Sequence, residues 1–273
     1  MTQERVQTQR FELKYVIPEA TASAVRDFAS AYLRLDAFGA RNPDRSYSVH
    51  SLYLDSEPLT TCWDTINGNR NRYKLRLRFY AARPESPVFF EIKQRDDNAV
   101  LKQRSQVRRD AVAWLLGGNL PDDAHLMPGE TQDLAALERF CRLMNRIQAV
   151  PKARVSYRRE AWTGNFDEGF RVTFDRKIQF DPESTARLEV EMKDPVEVFG
   201  NSVVLELKFA GTYPTWAAEM VRVFGLTQRS AAKYVDGVAL AGEERITRQW
   251  QHLRDPQAAG LLEARRQALE SFV

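Results

Sequence analysis

Cysteine is scarce, with only Cys62 and Cys141 in 273 residues, and the two stand far apart. That is too few for a disulfide framework or a thiolate metal cluster, and it points to a reducing, cytoplasmic setting. The three histidines, His50, His125 and His252, are isolated. No nucleophile–base pairing stands out, and each histidine reads as structural or solvated. Long apolar runs are missing as well. None approaches the ~18 residues of a membrane span, and the opening Met1-Thr2-Gln3-Glu4-Arg5 has no signal-peptide core. Low-complexity stretches and long linkers are absent. Net charge is only +3, which by itself predicts no polyanion partner. With 43% hydrophobic and 28% charged residues the chain reads as globular. Its length suits one large β-rich domain with helical decoration, or two small domains, and without a long linker one domain with a terminal helical extension is favoured.

The charge that is present is concentrated. Residues 70–109 hold twelve Lys and Arg against four Asp and Glu, so the remainder of the chain is net acidic. A basic centre in an acidic surround is a focused field. Within it Arg70, Arg72, Lys74, Arg76 and Arg78 alternate with Tyr73, Leu75, Leu77 and Phe79. Period two puts the cations on one face of a strand and the apolar residues on the other. The pattern recurs at Arg10, Glu12 and Lys14, at Glu91, Lys93 and Arg95, and at Lys102 and Arg104. Further along it returns at Lys152, Arg154, Ser156 and Arg158, at Arg171, Thr173 and Asp175, at Glu189 and Glu191, and at Glu206 and Lys208. Residues 46–55 form a less charged strand. Helices are predicted over 18–33, 57–66, 110–116, 131–148 and 214–225, then after Ser230 and through the tail from 243.

A solvated sheet face also alternates apolar and polar, but three features set these strands apart. Their polar faces favour Arg and Lys, the bias repeats along the whole chain, and amphipathic helices are available to cover the aromatic-rich faces. With helices outside, the charged faces must point inward. The expectation is therefore an α+β fold with a closed antiparallel β-tunnel, a charged lumen and helices packed outside. Unpaired guanidinium groups in such a lumen are costly without water, glutamates and a bound polyanion. The motifs Glu12-Leu13-Lys14, Glu91-Ile92-Lys93 and Glu206-Leu207-Lys208 place an acid and an ammonium on one face. Each reads either as a local ion pair, or as an oxygen ligand for Mg²⁺ or Mn²⁺ beside a phosphate-binding lysine. A nucleic-acid surface would instead set stacking aromatics beside its cations. Here Tyr73, Phe79, Phe90, Phe170 and Phe174 fall on the opposite face, so nucleic acid ranks last.

Taken in order, Arg10-Phe-Glu12-Leu-Lys14-Tyr15, Tyr73-Lys74-Leu-Arg76-Leu-Arg78, Glu91-Ile-Lys93, Arg154-Val-Ser-Tyr157-Arg158, Arg171-Val-Thr-Phe-Asp175, Leu205-Glu206-Leu-Lys208 and Lys233-Tyr234 resemble the VTC domain. This is the polyphosphate polymerase domain of the vacuolar transporter chaperone proteins, in the CYTH-like triphosphate tunnel metalloenzymes. The resemblance covers residues 9–240, with the helical extension over 241–273 beyond it, and implies a tunnel of about eight strands and phosphoryl transfer from ATP or another nucleoside triphosphate to polyphosphate. It implies a catalytic set of Arg76, Arg78, Arg154, Arg171 and Lys93. Further phosphate contacts fall to Arg10, Lys14, Lys74, Lys102, Arg104, Arg158, Lys208 and Lys233. Mn²⁺ or Mg²⁺ would be held by Glu206, with Glu12 and Glu91 as further candidates. It leaves open a membrane-protein partner at the inner face of the membrane. One departure stands out, because Arg10 occupies the first acidic place of the E-x-E-x-K strand usual in CYTH enzymes, which favours polymerase over triphosphatase. A tunnel-type triphosphatase or polyphosphatase, and a non-catalytic module binding polyphosphate or inositol phosphates, remain alternatives.

Overall fold

The alternation read along the chain resolves into paired strands. The computed structural model describes residues 10–97, 99–164, 169–248 and 256–272. The strands are β1 (Arg10–Ile17), β2 (Leu33–Leu35), β3 (Tyr47–Asp55), β4 (Arg72–Phe79), β5 (Val88–Asp96), β6 (Ala99–Val107), β7 (Val150–Gly164), β8 (Phe170–Pro182), β9 (Val196–Glu197) and β10 (Val203–Ala210). The α-helices are α1 (Glu19–Ala29), α2 (Thr60–Ile66), α3 (Val112–Leu116), α4 (Leu134–Arg146), α5 (Thr215–Val223), α6 (Lys233–Ala241) and α7 (Pro256–Glu270). The strands make one ten-stranded antiparallel sheet, ordered β1-β10-β8-β7-β3-β4-β5-β6, with β2 on β7 and β9 on β8.

The α+β class is as expected, but the ladder is not closed. Among the described residues no pairing joins β1 to β6, so the sheet has two edges. Both edge strands carry charges, Glu12 and Lys14 on β1 and Lys102 and Arg104 on β6. Charged side chains are what keeps an edge from accepting another strand. A second difference falls at residues 188–192, expected as a strand. They form none, because the carbonyls of Glu189 and Glu191 accept from Arg154 Nη1, at 3.0 and 2.7 Å, instead of from a ladder.

The chain divides into two compact units. The first comprises Met1–Tyr47, Arg158–Arg176 and Asn201–Ala231. Its core joins Tyr15 and Ile17 of β1, Val172 and Phe174 of β8, and Leu205 and Leu207 of β10 to Ala22 and Val25 of α1 and Ala217 and Met220 of α5. The second comprises Ser48–Tyr157, Lys177–Gly200 and Ala232–Val273. There Leu75 and Leu77 of β4 and Phe90 and Ile92 of β5 pack on Val112 and Leu115 of α3 and on α4. Helix α4 presents Leu137, Phe140, Cys141 and Met144, the i, i+3, i+4, i+7 stripe of an amphipathic helix. Phe140 meets Phe90 edge to face at 4.9 Å, and truncating such a ring to alanine costs about 3–5 kcal/mol. In each unit helices cover the apolar strand faces.

Local chemistry sets the helix ends. Helix α2 starts at Thr60, not at 57, because Ser56 Oγ accepts Thr60 N, while buried Asp55 accepts Thr61 N and Cys62 N. Helix α6 starts at Lys233, with Asp236 reaching back to the amide of Ala232. Helix α7 packs on α6, where Arg265 Nε meets Asp236 at 2.5 Å. Cys62 and Cys141 are buried and free. No described helix is long and apolar enough to cross a membrane.

Candidate functional site

In the second unit the cation face is assembled from β4, β5 and β6. Their register sets Arg76 opposite Glu91 and Glu91 opposite Arg104. It also lines up Lys74, Lys93 and Lys102 across the three strands. Glu91 is fully buried. Arg76 reaches its Oε2 with Nε at 2.8 Å and Nη2 at 2.7 Å, and Arg78 Nη1 lies 3.8 Å away. Lys102 Nζ sits 2.6 Å from Oε1. Burial works to raise the Glu91 carboxyl, yet Arg76, Arg78 and Lys102 hold it well below the ordinary carboxylate range. Desolvation pulls Lys102 down to about 7; Glu91 opposes the fall, and Arg76 and Arg78 add to it. Arg104 lies over the Phe89 ring, its Cζ 4.3 Å from the centroid.

Tyrosines brace this face. Arg76 Nη1 donates to Tyr53 Oη at 3.1 Å, and Arg78 Nη2 donates to Tyr157 Oη at 3.1 Å. Tyr53 is stacked on Tyr234 with centroids 4.8 Å apart, and Tyr234 in turn donates to buried Asp55. Burial raises the Tyr53 hydroxyl, but Arg76, Lys74 and Arg78 outweigh it and bring it to about 8. Lys233, at the start of α6, lies over the Tyr157 ring at 5.0 Å.

The first unit builds a different face. Register sets Glu12 opposite Lys208 and Lys208 opposite Arg171, with Lys14 opposite Glu206 and Glu206 opposite Thr173. Lys14 Nζ lies 3.9 Å from Glu12 and 3.7 Å from Glu206. Lys208 Nζ lies 2.5 Å from Glu206 and 3.9 Å from Glu12. Arg159 grips Asp175 with two bonds of 2.7 Å and reaches Glu206 at 3.5 Å. Arg171 donates to buried Asp36 at 2.8 Å. Burial lowers the Lys208 ammonium.

Two sequence candidates on β7 lie elsewhere. Arg154 is buried against Asp181 at 3.1 Å and against the carbonyls of Glu189 and Glu191. Arg158 turns to Asp44, at 2.5 Å, and to Ser46. It is the odd-numbered Tyr157 and Arg159 that meet the face residues. Alternation alone gives no sign of this, because Tyr157 continues the apolar row of Ala153 and Val155. Sequence reasoning also passed over Tyr53, Asp36 and Arg159. A tyrosine between apolar neighbours reads as core until its hydroxyl is seen to meet a guanidinium. Arg10 opens β1 opposite Ala210, and its side chain lies outside the described residues, as does His252. His50 is buried, stacked on Phe79, and lowered to about 4 by desolvation and then by Arg154. His125 caps its own turn at Asp122.

No group of three or more acidic, histidine or cysteine side chains placed to hold a metal is present among the described residues. Glu91, among three cations, is a poor place for another positive charge. Glu12 and Glu206 fit better, since their oxygens already converge on one cation, the Lys14 ammonium. One or two carboxylates suffice for a Mg²⁺-type ion that also takes phosphate oxygens and water.

Residues 9–241 match the family model of the VTC domain. The chain belongs to the VTC domain family. Among curated protein sequences none matches this VTC-domain chain. Similar solved structures include a "putative adenylate cyclase" of Bacillus halodurans, 15% identical, covering 82% of this chain and 94% of its own, with a TM-score of 0.45. A Pyrococcus horikoshii protein is 12% identical, with 83% and 96% covered and a TM-score of 0.41. A "putative adenylate cyclase" of Vibrio parahaemolyticus is 11% identical, with 84% and 97% covered and a TM-score of 0.42. Family membership places this VTC-domain chain with the triphosphate-tunnel type of protein.

Proposed function

We propose that this protein is a metal-dependent polyphosphate polymerase. It transfers the γ-phosphate of cytoplasmic ATP, or of another nucleoside triphosphate, to the end of a polyphosphate chain. The observation that carries this reading is the convergence of Arg76, Arg78 and Lys102 on the single buried carboxylate of Glu91. Three cations around one anion leave a positive excess that phosphate oxygens can meet. The guanidinium forks stay protonated and bond phosphates bidentately.

The terminal oxygen of the chain attacks the γ-phosphorus, the bond to the β–γ bridging oxygen breaks, and ADP leaves. That transition state is loose and its charge lies on phosphoryl oxygens, so positioning and neutralisation are the protein's main tasks. Arg76 and Arg78 grip the transferring group, held in place by Tyr53, Tyr157 and Glu91. Lys93, Lys102 and Lys233 add point charges in the second unit, and Lys14, Lys208 and Arg171 give the first unit phosphate-binding cations of its own. Arg154 acts as a positioning residue. The attacking oxygen is already anionic, so no protein base is required. In the first unit Glu206 and Glu12 are the residues that would hold Mg²⁺ or Mn²⁺, which would supply positive charge against phosphate.

The test is incubation with ATP and Mn²⁺ or Mg²⁺, followed by electrophoresis. ADP together with a polyphosphate ladder is expected. Orthophosphate alone would make the protein a hydrolase. Stabilisation by polyphosphate without turnover would make it a binding module.

A further inference from the structure

The cation face of the second unit continues beyond the residues assigned above. One register row out from Arg76 and Glu91 come Lys74, Lys93 and Lys102, and one row further Arg72 stands opposite Arg95. Like charges directly opposite one another weaken a sheet, and an ordinary solvated hairpin sets an acid against each base. Here two successive rows are cationic. At their end Arg70, Arg72 and Arg95, with Gly68 and Asp97, line an open recess of about 450 Å³.

The recess is held in shape largely by backbone groups. Arg95 Nε donates to the Asp97 carbonyl at 2.9 Å, and Arg72 Nη1 donates to the Asn69 carbonyl. Asn71 Oδ1 accepts the Asp97 amide at 3.2 Å. Carbonyl contacts orient a guanidinium without cancelling its charge. The one carboxylate lining the recess, Asp97, stands 3.8 Å from Arg70. Burial, and then Arg95, lower the Arg72 guanidinium, so this row carries a cost in the free protein. Gly68 takes φ +69°, open to a glycine without strain, and nothing crowds its Cβ position.

We propose that this recess is a distal subsite that grips a linear polyphosphate several phosphates away from the reacting end. The inference rests on the polymerase reading. Arg72 lies four strand residues from Arg76, ~13 Å along β4, further than a triphosphate held at Arg76 reaches. The lysine row between them supplies a continuous cationic track. Among the described residues no aromatic ring lines the recess to stack a base, so its chemistry selects the phosphate chain over a nucleoside.

The test compares tripolyphosphate with long-chain polyphosphate by titration calorimetry, on the full chain and on Arg72→Ala/Arg95→Ala. Long-chain affinity should fall about tenfold or more, as expected for losing charged hydrogen bonds, while tripolyphosphate affinity stays unchanged. Circular dichroism checks the fold. Should the double variant not fold, Arg95→Glu alters an exposed side chain alone and should give the same selective loss. Equal losses for both ligands, or no loss for either, would overturn the subsite. If the unaltered protein binds neither ligand, the polymerase reading itself falls, and the subsite with it.

Discussion

The two units use the same strand alternation to different electrostatic ends. In the first, Glu12, Glu206, Asp175 and Asp36 are interleaved with Lys14, Lys208, Arg159 and Arg171, close to balance. In the second, among the described residues, the carboxylate of Glu91 is shared by Arg76, Arg78 and Lys102, and Lys74 and Lys93 lie in register with Lys102. A balanced face stabilises itself by ion pairs and carries the oxygen donors a hard cation needs. A cation-rich face holds like charges side by side, which weakens it. Under the function proposed above, the difference would divide two tasks, holding a metal and holding phosphate, that a simple count of charged residues would merge.

The hardest blow to that contrast falls on β4. Arg76→Ala and Arg78→Ala should each lower turnover by about a thousandfold or more, the scale of arginine contacts in phosphoryl transfer. They should differ in stability. Arg76 is the nearest guanidinium to buried Glu91, so its loss should cost about 3–5 kcal/mol, whereas Arg78→Ala should melt closer to the parent. Steady-state rates and thermal melts check both, and near-normal turnover in the two variants would remove the phosphate role from the second unit.

Glu206→Gln probes the balanced face. Metal-dependent activity should fall at least about tenfold, the loss that outer-shell partners of a metal alone can cause, with nucleotide binding less affected. An unchanged Mn²⁺ titration would move the ligand to Glu12. A gentler probe uses pH. Lys102 is depressed to about 7, so its charge in the free protein is lost as pH rises through that range and an anion bound there should draw the proton back. Calorimetry near pH 8 in buffers of different ionisation enthalpy should show this uptake in the parent and not in Lys102→Ala, and affinity should decline several-fold as pH rises through the same range. The smallest effect belongs to Tyr53→Phe. It keeps the stack on Tyr234 and removes one hydrogen bond to Arg76, which should cost about 1 kcal/mol, roughly fivefold in kcat/KM. No change would make Tyr53 a packing residue only.

Much of this contrast was legible in the sequence. Period two in β4, β5, β8 and β10 marks which residues share a face, and it separated Arg76 and Arg78 from Leu75 and Leu77 correctly. The helices over the apolar faces followed from amphipathic spacing. Strand β7 resisted, because alternation tells that two faces exist but not which contacts each will make. Arg154 looked like its neighbours on β4 and instead lies buried with Asp181. Acidic partners distant in sequence, such as Asp36 for Arg171, were invisible because no local rule links them. The closed ladder was inferred from charge burial, and charge burial does not specify how edge strands pair.

Arg154 and Arg109 together hold the segment between β8 and β9 through main-chain oxygens, those of Glu189, Glu191 and Leu188. A carbonyl is the same on every residue, so this attachment is blind to the side chains at 189 and 191. Position 191 is thus free to drift in composition while the two guanidiniums are not. Variation should fall on such a held position and spare the holders, the reverse of what is expected where side chains interlock.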